Sequence, residues 1–303
     1  MAASGTARPR KIRELQNHLM DSSRWNGFAF RDNDIIIGSW GKSGTTLTQQ
    51  VVGQLIFNGM PAVIAFTLSP WLDFRIVPKE AVLTMLAAQA HRRIIKTHLP
   101  VDALVFSEEA KYIYVGRDAR DVVWSMYNHH INFTPEFYTF LNNAPGHLGP
   151  PLECPPADIR RYYCDWLEKD GFPFWPFWSH IQSWWNIRHL PNVLLVHFNN
   201  LRSDLTNELH TIARFLDIEI DDSSLPLILR YCSMDYMRMW AAENEVIQHI
   251  FGDRGADAFF YKGTNGRWRD VLTPVEIARS DEIAAANLPA DCAHWLETGI
   301  IQD

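Results

Sequence analysis

The spacing of apolar and polar positions changes period several times along the chain, and each change marks an element. Ile35 to Ile37 is an unbroken apolar run, the mark of a strand buried on both faces. From Leu47 to Phe57 the apolar residues recur at helical spacing. Pro78 to Ala90 predicts another helix, with proline in its first turn and Val82, Leu83, Met85 and Leu86 as its apolar residues. Arg93 to Thr97 and Lys111 to Gly116 predict strands, and a helix follows from Asp118, a suitable N-cap, to Ile131. Trp178 to His189 predicts a helix, Val193 to His197 a strand and Leu201 to Leu216 a helix. Later helices are expected at Leu225 to Tyr231 and Pro274 to Ala286. Residues 1–30 read as a tail with a short helix near Ile12 to Met20. Five prolines between Pro145 and Pro156 mark 133–176 as an irregular excursion near the acceptor side, and Gly252 to Gly266 reads as a polar loop.

Strands alternating with helices predict an α/β fold, a mainly parallel central sheet flanked by helices, as a single domain over 31–303. Ligands of such sheets sit beyond the carboxyl ends of the strands. That rule puts the turn after Ile37, the turn at Thr97 and His98, and the turn at Gly116 and Arg117 on one rim.

Composition narrows the function classes. A 303-residue chain with 47% hydrophobic and 21% charged residues buries a core easily, and its net charge of −7 argues against a nucleic-acid partner. The four cysteines form no C-x-x-C pair, which predicts neither a zinc site nor a disulfide framework. Met1 to Arg13 lacks the apolar stretch of a signal peptide, and no run reaches the length of a membrane span, so a cytoplasmic protein is expected.

The chemistry gathers at the rim. Gly38, Gly41 and Gly44 interleave with Ser39, Lys42, Ser43, Thr45 and Thr46 between the first strand and its helix. Backbone N–H groups and the helix dipole favour an anion there, and the lysine adds a formal charge. A tight turn with a capping hydroxyl accounts for the glycines but not for the lysine. The loop ends like a nucleotide-triphosphate loop, G-x-x-x-x-G-K-[ST], yet the opening glycine of that motif falls on Ile36. It is therefore a phosphate loop shorter than the triphosphate form.

Arg117 stands at the end of its strand, where a guanidinium can grip a phosphate through paired hydrogen bonds. Ser125 lies about 10 Å further along the helix, so a ligand touching both must lie beside that helix. Lys96 and His98 fall on the same rim, and an imidazole there can take a proton from an acceptor hydroxyl. Lys262, among glycines and hydroxyls, can fold over a bound phosphate.

These four stretches, in this order, resemble the cytosolic sulfotransferase family, whose sulfuryl donor is 3′-phosphoadenosine 5′-phosphosulfate (PAPS). The family's P-K-S-G-T-T-W loop resembles Gly41 to Leu47, its K-T-H-L-P segment matches Lys96 to Pro100, its V-x-R-x-x-[KR]-D-V-x-x-S signature matches Val115 to Ser125, and its R-K-G-x-x-G-x-W-[KR] segment resembles Tyr261 to Arg269. The resemblance implies that His98 is the general base, that Lys42 stabilises the bridging oxygen and that Lys96 assists at the sulfonate. Ser43, Gly44, Thr45 and Thr46 would hold the 5′-phosphate. Arg117, Ser125, Lys262 and Gly263 would hold the 3′-phosphate of the donor and of its product, 3′,5′-adenosine bisphosphate. No metal is implied.

Departures fall around the adenine. The family's stacking tryptophan is Leu47 here, its opposing phenylalanine is Met234, a tyrosine becomes Phe198, and the arginine before the lysine becomes Tyr261. The family's dimer segment lacks its valine and glutamate between Arg269 and Ala278, which leaves the oligomeric state open. Phe172, Phe174, Trp175, Phe177, Trp178, Trp184 and Trp185 crowd one stretch, with Trp178, Ile181 and Trp185 on a face suited to core packing. The residues before that face can roof a small, fairly apolar hydroxylated acceptor. The alternatives are an ATP and magnesium-dependent small-molecule kinase, or a non-catalytic nucleotide binder on the same fold.

Overall fold

Four apolar runs pair into one parallel sheet, and everything else is arranged by which face of it they cover. The computed structural model describes residues 8–61 and 63–302. The chain runs β1 (Ile35–Ser39), α1 (Thr45–Ile56), α2 (Ala65–Leu68), α3 (Lys79–Ala87), β2 (Ile94–Thr97), β3 (Lys111–Gly116), α4 (Ala119–His130), α5 (Pro135–Asn142), α6 (Ile159–Glu168) and α7 (Phe177–Trp185). It continues with β4 (Val193–His197), α8 (Phe198–Ser203), α9 (Leu205–Phe215), α10 (Leu225–Tyr231), α11 (Met234–Ala242), α12 (Glu245–Phe251), α13 (Gly255–Phe259), α14 (Pro274–Asn287) and α15 (Ala290–Thr298).

The strand order is β2-β1-β3-β4, all parallel. Gly38 pairs with Thr97, and Ser39 with Val115, so the three predicted turns do end together on one rim. Alternation along the strands splits the core in two. Ile36, Ile95, Tyr112 and Tyr114 join a cluster containing Trp40, Trp166, Trp175 and Trp184. Ile35, Ile37, Ile94, Ile113 and Val115 join the opposite cluster, with Leu47, Val51, Phe198 and Leu209.

Local chemistry explains the helix starts. α1 follows Gly44, whose φ of 113° is open to glycine and strained for other residues. Asp118 caps α4 by accepting the Arg120 N–H. Thr273 and Glu276 form a reciprocal capping box at α14, with Pro274 in the first turn.

Several expectations are corrected. Residues 12–20 form no helix; they lie as bent chain, with Gln16 bridged to Asp21 and Met20 to Phe74, and they bury Leu15 and Met20 in the core. A main-chain bridge to Phe74 satisfies the backbone there in place of a helix. The stretch 133–176 holds α5 and α6, and 143–158 and 169–176 lack regular structure. Thr134 and Asp158 cap these helices, a signal that the prolines overshadowed. Residues 252–266 likewise contain a 3-10 turn at Gly252–Arg254 and α13.

The last helix, α15, lies outside every predicted element. It docks through Trp295, 1% exposed, whose ring packs on Trp185 and His197. The indole covers Gly116 at the end of β3, where an added Cβ would meet the ring at 2.3 Å. Gly116→Ala is therefore expected to destabilise the fold by about 1–3 kcal/mol through overpacking, read as a lowered denaturant midpoint at unchanged m.

Candidate active site

Three cations and one neutral imidazole converge where β1, β2 and β3 end. His98 follows β2 and is held at three points. Its ring Nδ1 donates to the Ser39 carbonyl at 2.7 Å, its carbonyl accepts from His180 Nε2 at 3.0 Å, and its N–H makes a long 3.4 Å contact to Asp73 Oδ2. His180 in turn accepts from the Tyr114 hydroxyl at 3.1 Å. With Nδ1–H committed to a carbonyl, the proton-free nitrogen of His98 is Nε2, the one able to accept a proton. Trp175 stacks on this ring at 5.8 Å and Trp71 meets it edge-on at 4.8 Å. Burial, followed by the charge on Lys96, holds His98 well below the ordinary histidine range, so it is neutral at neutral pH.

Lys42 sits at the centre of the glycine loop with φ of 66°, an uncommon conformation for a residue with a side chain. Its carbonyl accepts from Arg117 Nη1 at 3.0 Å, and its ammonium lies 2.9 Å from His129 Nδ1. Desolvation, then Arg117 and Lys96, lowers the Lys42 pKa to about 7. Lys96 stacks over Trp71 at 4.3 Å, and desolvation, opposed by Asp73, lowers its pKa to about 8.

The loop fits a phosphate. Ser43 Oγ is buried without a hydrogen-bond partner among the described residues, and an orphaned hydroxyl at a helix N-terminus suits an anionic oxygen. Ser39 and Thr45 hydroxyls meet at 2.6 Å beside it, while Thr46 is half-buried. A Cβ at Gly44 would strike Phe198 at 2.6 Å, so glycine lets that ring close over the loop.

Arg117 stacks on Phe198 at 4.2 Å and donates twice to Asn265 Oδ1, at 3.0 and 2.8 Å. Desolvation lowers its pKa to about 10. Gly263, with φ of 60°, lies against Met234, whose Cε an added Cβ would meet at 2.3 Å. The geometry thus joins Lys42, Gly44, Arg117 and Phe198 in one group, and Met234 with Gly263 in another. Ser125 is half-buried on α4. Lys262 is exposed and folds back over Tyr261 at 5.6 Å, while Leu47 is buried in the apolar cluster with Val51 and Phe198.

Sequence reasoning missed His129, Asn265, Asp73 and His180. His129 lies four residues after Ser125, a spacing that puts both on one side of α4. Asn265 lies within the recognised glycine segment, but nothing in its type marks it as an arginine acceptor. The links from Asp73 and His180 to His98 exist only after folding.

A parallel sheet with a phosphate loop, a fixed imidazole and clustered cations defines a group-transfer enzyme acting on an anionic donor. The sulfotransferase domain model matches residues 32–290, and the chain belongs to that family. It is 34% identical to a glycolipid sulfotransferase of Mycobacterium bovis over 320 aligned positions, covering 96% of each protein. It is 26% identical to sulfotransferase 2A6 of Rattus norvegicus, covering 85% of each. Among solved structures, mouse sulfotransferase SULT7A1 complexed with PAP superposes with a TM-score of 0.69 at 22% identity, covering 90% of both chains. Retinol dehydratase in complex with androsterone and inactive cofactor PAP gives 0.68 at 20%, covering 89% of this chain and 84% of that one. Family membership removes the kinase alternative. No helix among the described residues is long and apolar enough to cross a membrane.

The buried imidazoles have a measurable consequence. Burial lowers His18 and His197 to about 4, and His130 and His180 to about 3. The unfolded chain then binds more protons than the folded one below the ordinary histidine pKa of about 6.5, so stability falls as pH falls. The melting temperature is expected to hold above about pH 6.5 and to drop steadily toward pH 4; a flat profile over that window contradicts it.

Proposed function

We propose that this chain moves a sulfuryl group from PAPS to a hydroxyl of a small acceptor, with His98 as general base. The observation that carries the reading is the tautomer lock: the Ser39 carbonyl takes Nδ1–H at 2.7 Å, which leaves Nε2 as the basic nitrogen beside the phosphate loop. PAPS supplies a sulfuryl group on a phosphate leaving group, and 3′,5′-adenosine bisphosphate departs. His98 Nε2 takes the acceptor's proton as its oxygen bonds to sulfur. Lys42 places its ammonium where charge grows on the bridging oxygen as the old S–O bond breaks, and Lys96 faces the sulfonate. Ser43, Gly44, Thr45 and Thr46 hold the 5′-phosphate. Arg117, Ser125, Lys262 and Gly263 take the 3′-phosphate, with Lys262 swinging in from Tyr261. Phe198 and Met234 flank the adenine, and Leu47 backs Phe198 from the core. The reaction asks chiefly for alignment and preorganised charge.

For the acceptor, the names of the mycobacterial relatives favour a glycolipid hydroxyl, in keeping with the Trp71 and Trp175 rings packed against His98. Such a molecule offers both the apolar portion and the alcohol that the residues predict.

Two measurements test the reading. Thermal stability is expected to rise with 3′,5′-adenosine bisphosphate, by about 2.7 kcal/mol at a hundredfold excess over its dissociation constant, and to stay unchanged with ATP and magnesium. No response to the bisphosphate favours the non-catalytic binder. His98→Ala is expected to lose about 10²–10⁴-fold in kcat while keeping the bisphosphate response; undiminished turnover removes His98 as the base.

The pH profile adds a third. His98 must be neutral and the lysines charged, so kcat/KM is expected to fall as pH rises through the Lys42 and Lys96 values of about 7 and about 8. Its acid limb is expected below the ordinary histidine range, because burial lowers His98. A profile still rising beyond pH 9 contradicts the lysine roles.

A further inference from the structure

The Lys42 ammonium makes its hydrogen bond to a histidine on another element, and that histidine belongs to none of the four recognised stretches. We propose that His129 is a positioning residue for the transfer: its neutral imidazole accepts a hydrogen bond from Lys42, aiming the ammonium along α4 and keeping it protonated inside a desolvated site. The role of Lys42 in this statement rests on the donor reading above; the contact itself does not.

Donor and acceptor are assigned by chemistry. An ammonium has three N–H groups and no lone pair, so Nδ1 of His129, 2.9 Å away, must accept and the ring proton must sit on Nε2. The ring is boxed by Phe133 and Phe251 at 5.0 Å, His130 at 5.8 Å and Phe259 at 6.0 Å, from α4, the turn after it, α12 and α13. Phe259 also lies 5.5 Å from the ammonium itself. Such packing fixes where the Nδ1 lone pair points. His129 stands one helical turn beyond Ser125, about 6 Å along the axis, so the hydrogen bond draws Lys42 toward the side of α4 that carries Ser125.

The surroundings make a neutral acceptor necessary. The charged and titratable groups that face this pair are Arg117, Lys96, His98 and His130 around Lys42, and His130 and Lys96 around His129. All but the imidazoles of His98 and His130 are cationic, and no carboxylate lies within ion-pair distance of Lys42 among the described residues. Phe133, Phe251 and Phe259 contribute no charge. Burial, followed by the Lys42 charge, holds His129 well below its ordinary range and therefore neutral. A hydrogen bond offered to the charged form of Lys42 then opposes the loss of its proton.

The test uses the full chain labelled with 13C at lysine Cε, with the Lys42 signal assigned through Lys42→Arg, and follows its titration by NMR without donor. His129→Phe keeps the ring volume and removes the acceptor. His129→Asn places Oδ1 where Nδ1 stands and restores it. The Lys42 midpoint is expected to fall by about one pH unit or more in His129→Phe and to stay near the unsubstituted value in His129→Asn. If the phenylalanine variant does not fold, His129→Leu takes its place. An unchanged midpoint without the acceptor, or an equal fall in His129→Asn, overturns the proposal. The alkaline limb of sulfuryl transfer from PAPS is expected to move with the midpoint. If the unsubstituted protein transfers no sulfuryl group, the donor reading fails while the titration still decides the role of His129 toward Lys42.

Discussion

The site depends on holding several cations together, away from water, without neutralising them. Desolvation and mutual repulsion both act against Lys42, Lys96 and Arg117, and either could be relieved by a carboxylate at contact distance. The fold uses neutral partners instead. Arg117 rests on the Asn265 amide oxygen and the Phe198 ring, Lys42 on the His129 imidazole, and Lys96 on the Trp71 indole. Asp73, the nearest acid to Lys96, spends its oxygens on the Trp25 and Trp71 indoles and the His98 backbone. The positive charge therefore stays available to a polyanion, in surroundings where each contact is worth more than in water.

Rigidity around His98 complements this reserve of charge. Ser39 of β1 bonds the His98 imidazole directly, while His180 of α7, itself bonded by Tyr114 of β3, and Asp73 hold the His98 backbone, the kind of fixed geometry that the proposed base needs. The backbone contributes as well. Lys42 accepts a left-handed conformation while its carbonyl is gripped by Arg117, tying the loop after β1 to the end of β3. Asp121 accepts the Gly266 N–H from the first turn of α4. Arg120 stacks on Trp268 and pairs with Asp118, Asp281 and Glu297, so α14 and α15 brace the same corner.

Much of this was legible from the residues. Parallel strands buried on both faces betray themselves as short apolar runs, and the glycine loop with its lysine announces an anion site before any coordinate is known. What could not be read was contact between distant segments. The His129 hydrogen bond to Lys42 spans 87 positions, and Asn265 reaches Arg117 across 148; neither residue type names its partner. The helices inside 133–176 were obscured because clustered prolines weigh heavily in a local reading, although Thr134 and Asp158 cap them in ordinary fashion. α15 docks through Cys292, Trp295 and Leu296, three apolar residues too few to mark a helix in a short polar stretch.

The two-sided core has a bearing on how such a protein can diversify. On the proposed reading, the nucleotide contacts Phe198, Met234 and Leu47 border one apolar cluster, and the aromatic surroundings of His98 belong to the other, with the sheet as a wall between them. Apart from Phe133, which packs against both, the residues of each cluster have their own neighbours. A lineage built this way can exchange the molecule it modifies while keeping its donor grip, and can vary the residues proposed to clasp the nucleotide without rebuilding the chamber opposite.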